Sequence, residues 1–509
     1  MLEFGTAGMR GILGDGIDKL NEKHVYRVVN GFALYLLKKF PNIKKEGIVL
    51  ARDNRKKSWI FLKLAANILT KKYKIKIYTT KEILATPVLS FAIKRLKAKA
   101  GINFTASHNP KEYNGIKIYN HLGAQCLPDE VNDILKFIKP YQAIKQKITN
   151  KKLNFNKKNI NINFIENEYI NNLKKLQISN NSFKNKAKFV YSPLHGTGSK
   201  IMKNFFKQSD VEVHYVEKEM KNSSNFHYAN KPNPEEISAY SNTIKLMSEK
   251  RIKYGIISDP DSDRVGLVEN LGEINHYFTG NELATIIFNY LIENKYINEN
   301  NGLLIYSFVS SNLNHIIAQE NKINVEITPT GFKWMSPLIE KYKQTNKELK
   351  LFAFEESYGS LIDYNLSYDK DAFQSIRILI EILQNEKENF SFFNQLQQIY
   401  QKYGYVKSKI NSIIFDTQNK KLLYSYFEKF LKINFELEVK EIIDYRNGYK
   451  DIKPENMIQI HFINKSWISL RPSGTENKIK VYLFSIDKNE QKAEENLKIL
   501  DKKIKQLFN

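Results

Sequence analysis

Strand-like and helix-like apolar periods alternate along most of this chain, and that alternation constrains its fold more than any other feature. Val25, Val28, Val29, Phe32 and Leu36 recur at helical spacing within 22–40. The short apolar run Ile48 to Ala51 then reads as a buried strand. Residues 57–73 read as a helix and Lys74 to Thr80 as an alternating strand. Pro87 suits a first helical position, and Ala100–Thr105 follows as a strand. Strand–helix–strand order of this kind predicts a mostly parallel sheet covered on both faces.

The stretch Lys145 to Asn163, rich in Lys and Asn, reads as a connecting segment. After it the pattern restarts: strand Lys188–Tyr191, helix from Ser199, strand Val211–Tyr215, helix from Pro234, strand Gly255–Ser258. A third run follows Gly280: helix 281–293, strand Leu303–Phe308, helix 311–320, strand Val325–Thr328, helix from about Phe332, strand Lys350–Phe354. The last hundred or so residues differ. A helix near 390–403, scattered strands including Trp467–Leu470 and Ile479–Phe484, and an amphipathic helix 488–507 suggest a smaller α+β domain. At roughly 150 residues per domain, 509 residues allow three to four domains. The expected boundaries are 1–163, 164–278, 279–388 and 389–509.

Composition narrows the class. With 42% hydrophobic and 26% charged residues the chain matches soluble globular proteins. It has no apolar run of about 18 residues, and its first residues lack the basic and apolar regions of a signal peptide. A single cysteine, Cys126, excludes a disulfide framework and a Cys-based zinc site. A cytoplasmic protein is expected. The net charge of +25, from 79 Lys+Arg against 54 Asp+Glu, first suggests nucleic acid. Only 10 of those cations are Arg, the residue that reads phosphates and bases bidentately. The 69 Lys are spread along the chain, so the surplus reads as a solvated surface and no nucleic-acid partner is expected. A positive field that attracts phosphorylated small molecules is compatible with it.

Four short segments carry chemistry, each following a predicted strand, where ligands bind in parallel sheets. Thr105-Ala106-Ser107-His108-Asn109-Pro110 presents a hydroxyl on a sharp turn, and Lys117 returns shortly after it. A lysine there acts as a base only if its pKa is lowered. Asp259-Pro260-Asp261-Ser262-Asp263-Arg264 sets three carboxylates at alternate positions, on one side of an extended segment. An EF-hand would need Gly at its sixth position and Glu at its twelfth, where this chain has Arg264 and Asn270. A hard octahedral ion such as Mg²⁺, shared with a phosphate oxygen, fits better. Arg471-Pro472-Ser473-Gly474-Thr475-Glu476 combines a guanidinium, two hydroxyls and a Gly-opened backbone, suited to phosphate, and is not a P-loop. Glu355-Glu356-Ser357-Tyr358-Gly359 could bond sugar hydroxyls. Thr330-Gly331-Phe332-Lys333 also follows a strand. Gly196-Thr197-Gly198 is Gly-rich without matching a dinucleotide fingerprint.

In that order, T-A-S-H-N-P, D-P-D-x-D-R, E-E-S-Y-G and R-P-S-G-T-E resemble the α-D-phosphohexomutase superfamily over essentially the whole chain. The opening Glu3 to Gly11, Thr330 to Trp334 and Lys370-Asp371-Ala372 resemble its phosphoglucomutase/phosphomannomutase branch, in the subgroup that includes phosphopentomutases. The resemblance implies three α/β domains with mixed, mostly parallel sheets and a C-terminal α+β domain around a central cleft. The activity implied is interconversion of hexose 1- and 6-phosphates, of glucose or mannose, with phosphopentomutase activity as the alternative. Mg²⁺ and a sugar 1,6-bisphosphate are the implied cofactors, sugar phosphates the partners, with no membrane and a monomer or dimer. By the same resemblance Ser107 carries the phosphate, flanked by His108 and by Lys117 as general base or acid. Asp259, Asp261 and Asp263 hold Mg²⁺ with a Ser107 phosphate oxygen, and Arg10 and Arg264 stabilise the transferring group. Thr330, Gly331, Glu355, Ser357 and Lys370 meet the sugar; Arg471, Ser473, Gly474 and Thr475 clamp the other phosphate. Asp53 and Arg55 support the first domain. Positive neighbours are expected to lower the pKa of Lys117 from about 10.4. Departures from the family pattern are mild: Ser262 stands where Ala is usual, Arg52 where an aromatic or His is common, and 225–228 vary.

Overall fold

The strand Ala100–Phe104 is buried along its whole length and lies inside a six-stranded sheet. The order is Met9–Ile12, Tyr113–Tyr119, Ala100–Phe104, Ile48–Arg52, Ile77–Thr79, Asn159–Asn161. Strands from Ala100 outward through Ile48 and Ile77 pair in parallel, while Tyr113–Tyr119 and Met9–Ile12 add antiparallel. The helix Glu22–Lys39 packs Val25, Val28 and Phe32 into the same core as Leu50, Ile102 and Phe104. Its first turn is closed by Asn21, whose side chain accepts from the Lys23 and His24 amides. The computed structural model describes residues 2–5, 8–145, 159–180, 182–387, 389–415, 419–450, 452–472 and 478–508.

A second sheet repeats the plan with five strands: Asn275–Tyr277, Val265–Asn270, Tyr254–Ser258, Ala187–Ser192, Val211–Tyr215. Its central strand Tyr254–Ser258 is also fully buried. In a third sheet Gly302–Ser307, Lys350–Glu355 and Gly359–Leu361 are neighbours in that order. Two compact units divide the chain, 1–305 with 331–390 and 306–330 with 391–509. The second unit carries a five-stranded antiparallel sheet: Tyr405–Ile414, Lys478–Asp487, Trp467–Pro472, Ile458–Phe462, Val439–Asp444. Phe427 and Phe430 from the helix Lys420–Leu431 and Leu500 from Glu490–Phe508 fill its core with Ile460, Leu470 and Val481. Among the described residues no helix is long and apolar enough to cross a membrane.

The α/β alternation and the different last sheet follow the sequence reading, with local corrections. The helix expected from Pro234 begins at Ile237 as a 3₁₀ turn and continues as Ser241–Lys250. Asn233 and Pro234 instead form a turn, in which the Glu236 amide donates to the Asn233 carbonyl at 2.9 Å. The strand expected over Lys74–Thr80 shortens to Ile77–Thr79, because Lys74 adopts a left-handed φ of 59°. The connecting segment ends in a short strand, Asn159–Asn161, parallel to Ile77–Thr79; residues 146–158 lie outside the described ones.

The chemical segments share a design that periodicity did not show. The strand before each one is answered by an antiparallel strand after it: Tyr113–Tyr119, Val265–Asn270, Gly359–Leu361 and Lys478–Asp487. Among the described residues, the loops after Ala100–Phe104, Tyr254–Ser258 and Lys350–Glu355 each contain one non-glycine residue at left-handed φ: Ser107 at 52°, Ser262 at 61° and Tyr358 at 70°. Such a conformation costs on the order of 1–2 kcal/mol for an L-residue, so surrounding bonds must hold it.

Candidate active site

Ser107 is 2% exposed and held from several sides. Its amide donates to Thr105 Oγ1 at 2.9 Å, and its carbonyl accepts from Arg55 Nη2 at 2.6 Å. Arg55 also donates to the carbonyls of Asn109, Pro110 and Tyr113, so one guanidinium grips the loop at four points. Asp53 in turn fixes Arg55: its Oδ1 accepts the Arg55 amide at 2.9 Å and the Ser58 hydroxyl at 2.7 Å, and its Oδ2 lies 3.2 Å from Arg55 Nε. The supportive role expected of Asp53 and Arg55 is thus a defined grip on the serine loop.

The Ser107 hydroxyl is left facing outward from that grip. Its Oγ donates to Asp259 Oδ2 at 3.0 Å and lies 3.2 Å from His108 Nδ1. Burial, together with the charges of Arg264 and Arg10, pushes the His108 imidazole well below its ordinary pKa. The neutral imidazole is favoured beside the serine. Arg10, on the edge strand Met9–Ile12, donates from Nη1 to Asn109 Oδ1 at 2.6 Å.

Asp259, Asp261 and Asp263 are all buried, each offering a carboxylate oxygen within 4.8 Å of the others. The loop is organised by its own backbone: Asp259 Oδ1 accepts from the amides of Asp263 at 3.0 Å and Arg264 at 3.1 Å. Lys117 Nζ lies 2.8 Å from Asp261 Oδ2 and 3.6 Å from Asp263 Oδ2. Lys370 Nζ lies 3.4 Å from Asp263 Oδ2 and 3.7 Å from Glu355 Oε2. Arg264 Nη1 pairs with Glu235 Oε1 at 2.7 Å, and its Nε lies 3.8 Å from Asp263 Oδ1. Burial and the two adjacent carboxylates push Asp259 well above its ordinary range. Burial acts in the same direction on Asp261, but Lys117 and the hydrogen bonds from its neighbours outweigh it and hold Asp261 low.

The residues fit a divalent cation. Among the described residues, Asp261 Oδ1 and Asp263 Oδ1 are buried and accept no hydrogen bond. Bare carboxylate oxygens in a buried cluster are the hard oxygen donors such an ion needs, and cluster repulsion falls when it binds.

The expected lowering of Lys117 is corrected. Burial does disfavour its ammonium, but Asp261 and Asp263 lie nearest and raise its pKa above the ordinary value. Cations such as Arg10 were visible in the sequence; the approach of Lys117 to the Asp loop of another sheet was not.

Glu355 ends its strand with Oε1 accepting the Gly331 amide at 2.7 Å. Ser357 is partly exposed in the turn that follows, and Thr330, directly before Gly331, is partly exposed. Lys370 reaches Glu355 past Gly359, where a Cβ would fall 2.0 Å from Lys370 Cδ. Gly359 is therefore what leaves that side chain its path. One constellation so contains Arg10, Ser107, His108, Lys117, Asp259, Asp261, Asp263, Arg264, Gly331, Glu355 and Lys370. Arg471 stands near the end of Trp467–Pro472 in the second unit, opposite Lys480 in register. Ser473, Gly474 and Thr475 lie outside the described residues, as do Thr6 and Ala7 of the opening segment.

Some contributors escaped the sequence reading. Glu235, in the Pro232–Glu236 run, orients Arg264. The Gly196-Thr197-Gly198 segment braces the Asp loop: the Thr197 amide donates to the Pro260 carbonyl at 2.8 Å, and its Oγ1 lies 2.9 Å from Ser262 Oγ. Its glycine spacing was the available signal. A Cβ on Gly196 would meet Pro260 Cα at 2.4 Å, so the glycine serves close backbone packing.

Fold and site together define an α/β protein in which a gripped serine faces a carboxylate triad suited to a divalent cation. Models of the phosphoglucomutase/phosphomannomutase α/β/α domains I, II and III match residues 1–145, 167–272 and 279–403. A phosphoglucomutase of Staphylococcus saprophyticus is 33% identical, covering 96% of this chain and 91% of its own. A phosphomannomutase of Mycoplasmoides pirum is 31% identical over 100% of this chain and 93% of its own. The crystal structure of a phosphoglucomutase/phosphomannomutase family protein from Burkholderia thailandensis superposes with a TM-score of 0.73 at 16% identity, covering 100% and 98% of the two chains. The chain belongs to the phosphoglucomutase/phosphomannomutase family, within the α-D-phosphohexomutase superfamily.

Proposed function

We propose that this chain is a phosphohexomutase that interconverts hexose 1-phosphate and hexose 6-phosphate, of glucose or mannose, with Ser107 as the phosphate carrier. The observation that carries the reading is the Ser107 hydroxyl, 3.0 Å from Asp259 Oδ2 within a buried triad whose other members keep bare oxygens. Family membership and similarity to relatives named phosphoglucomutase and phosphomannomutase support the substrate class.

Phosphoryl transfer needs alignment and charge stabilisation more than covalent help. Phosphorylated Ser107 gives its phosphoryl group to a free sugar hydroxyl; the bisphosphate formed turns over; Ser107 recovers the other phosphate. Asp259, Asp261 and Asp263 would hold Mg²⁺, which when bound supplies Lewis-acid charge to phosphate oxygens. Arg55 keeps the serine loop fixed from beneath. Arg10 and Arg264 bring permanent positive charge to the developing anion. Lys117, as an ammonium, gives charge and passes its Nζ proton to Ser107 Oγ as the phosphoryl group leaves, the proton of the attacking sugar hydroxyl passing to solvent, and it takes a proton back from Ser107 Oγ when the serine recovers a phosphate. Glu355 and Lys370 position sugar hydroxyls, with Gly331, Ser357 and Thr330 beside them. Arg471 with Ser473, Gly474 and Thr475 would hold the phosphate that does not react.

Coupled assays with glucose 1-phosphate, mannose 1-phosphate and ribose 1-phosphate test the reading. The expected result is the highest kcat/KM on a hexose phosphate, with dependence on Mg²⁺ and on catalytic hexose 1,6-bisphosphate. Preference for ribose 1-phosphate would reassign the substrate, and no activity on any of the three would overturn the activity itself.

A further inference from the structure

Asp261 receives two hydrogen bonds at the same oxygen. Lys117 Nζ donates to Oδ2 at 2.8 Å, and so does the Thr86 hydroxyl at 3.0 Å. Thr86 opens the helix Thr86–Arg95, and its amide donates to the Asp261 carbonyl at 2.9 Å. One residue thus holds both the backbone and the side chain of Asp261. Behind Thr86, Asn103 Nδ2 donates to Thr86 Oγ1 at 2.9 Å. That bond occupies a lone pair of the hydroxyl and leaves its proton for Asp261. Thr86 and Asn103 are both 0% exposed, so neither side chain can exchange its partner for water.

Asn103 lies on Ala100–Phe104, the strand that leads directly into Ser107, and is paired in register with Lys117. The chain of bonds Asn103 to Thr86 to Asp261 therefore begins on the serine's strand and ends on a carboxylate of the triad. Its consequence is local and definite: Oδ2 of Asp261 is saturated, while Oδ1 stays buried without a hydrogen bond among the described residues.

We propose that Thr86 and Asn103 are positioning residues that select which oxygen of Asp261 is offered to the divalent cation and register that oxygen against Ser107. The inference rests on the reading of the triad as the cation site. Groups that orient metal ligands typically change metal affinity by about 10- to 100-fold when removed. Thr86→Val keeps the shape and β-branching but lacks the hydroxyl. Asn103→Asp turns the donor into an acceptor, so the Thr86 proton is drawn away from Asp261.

The test is Mn²⁺ titration of the purified full chain, followed by electron paramagnetic resonance of free Mn²⁺, with kcat and sugar-phosphate KM measured in parallel. Thr86→Val is expected to weaken Mn²⁺ binding about 10- to 100-fold and to lower kcat with little change in KM. Thr86→Ser is expected to restore both. Asn103→Asp should resemble Thr86→Val, and the valine and serine variants carry the test if the aspartate variant does not fold. Mn²⁺ affinity unchanged in Thr86→Val, or no recovery in Thr86→Ser, overturns the relay while leaving the cation site intact. Absence of Mn²⁺ binding by the wild-type chain overturns the site reading and the relay with it.

Discussion

The serine loop and the aspartate loop are built alike and equipped differently. Each leaves a fully buried five-residue strand, Ala100–Phe104 or Tyr254–Ser258, and returns along an antiparallel partner. Each bends at a serine in left-handed conformation, Ser107 or Ser262. What differs is the group that approaches each loop. Under Ser107 a guanidinium, Arg55, itself paired with Asp53, takes four carbonyls and so fixes the loop of the residue proposed to carry an anion. The backbone of the aspartate loop is braced by neutral groups of Thr86 and Thr197, while Lys117 and Lys370 approach its carboxylates from the side. Among the described residues Asp261 Oδ1 and Asp263 Oδ1 still accept no hydrogen bond and are left for a cation. One turn geometry thus carries a hydroxyl in one loop and three carboxylates in the other, and what each loop can hold follows from the side chains it presents.

The same substitution at the two bent serines should separate them most. Ser107→Ala is expected to lower kcat by about 10⁴-fold or more, as loss of a nucleophile does, with the fold unchanged by circular dichroism. Near-normal turnover would remove Ser107 from the mechanism. Asp261→Asn should lower kcat by about 10²–10³-fold, since a bound cation contributes several kcal/mol of charge stabilisation. It should also raise the Mg²⁺ concentration needed for half-maximal rate; an unchanged metal response would take Asp261 out of the site.

The braces can be tested separately. Arg55→Lys replaces a fork by a point charge and leaves loop carbonyls unpaired, at about 1–3 kcal/mol of stability. Urea unfolding should show that loss and kcat should fall, while Mn²⁺ affinity stays near wild type. If Mn²⁺ affinity falls equally, the two loops do not have separate braces. Ser262→Ala removes one bond to Thr197 and should have the smallest effect, about 0.5–1.5 kcal/mol in urea and a rate close to wild type. A rate loss approaching that of Ser107→Ala would mean that the two serines are not distinguished by their chemistry.

Much of this was legible in the chain because buried parallel strands are continuous apolar runs. Ile48–Ala51 and Gly255–Ser258 were found within a residue of their ends. The loops were legible because serine, aspartate, proline and glycine concentrate where backbone must bend. Ile479–Phe484 was also read as a strand, within Lys478–Asp487, but the return strands after the first three loops were not, and Tyr113–Tyr119 and Gly359–Leu361 carry glycine and polar residues between their apolar ones. Their pairing is decided by the preceding strand and not by local pattern. Thr86, Asn103 and Glu235 escaped for a related reason: each acts through a residue distant in sequence, Asp261 or Arg264, that only folding brings near. The sign of the Lys117 shift escaped with them. It depends on a 2.8 Å approach to a carboxylate 144 positions away.

Residue-level mass spectrometry after incubation with a hexose 1,6-bisphosphate and Mg²⁺ tests the central claim most directly. A single phosphate on Ser107, lost when excess sugar monophosphate is added and absent from Ser107→Ala, is the predicted result. Phosphate on another residue, or steady turnover with no phosphate on Ser107 at any stage, would contradict it.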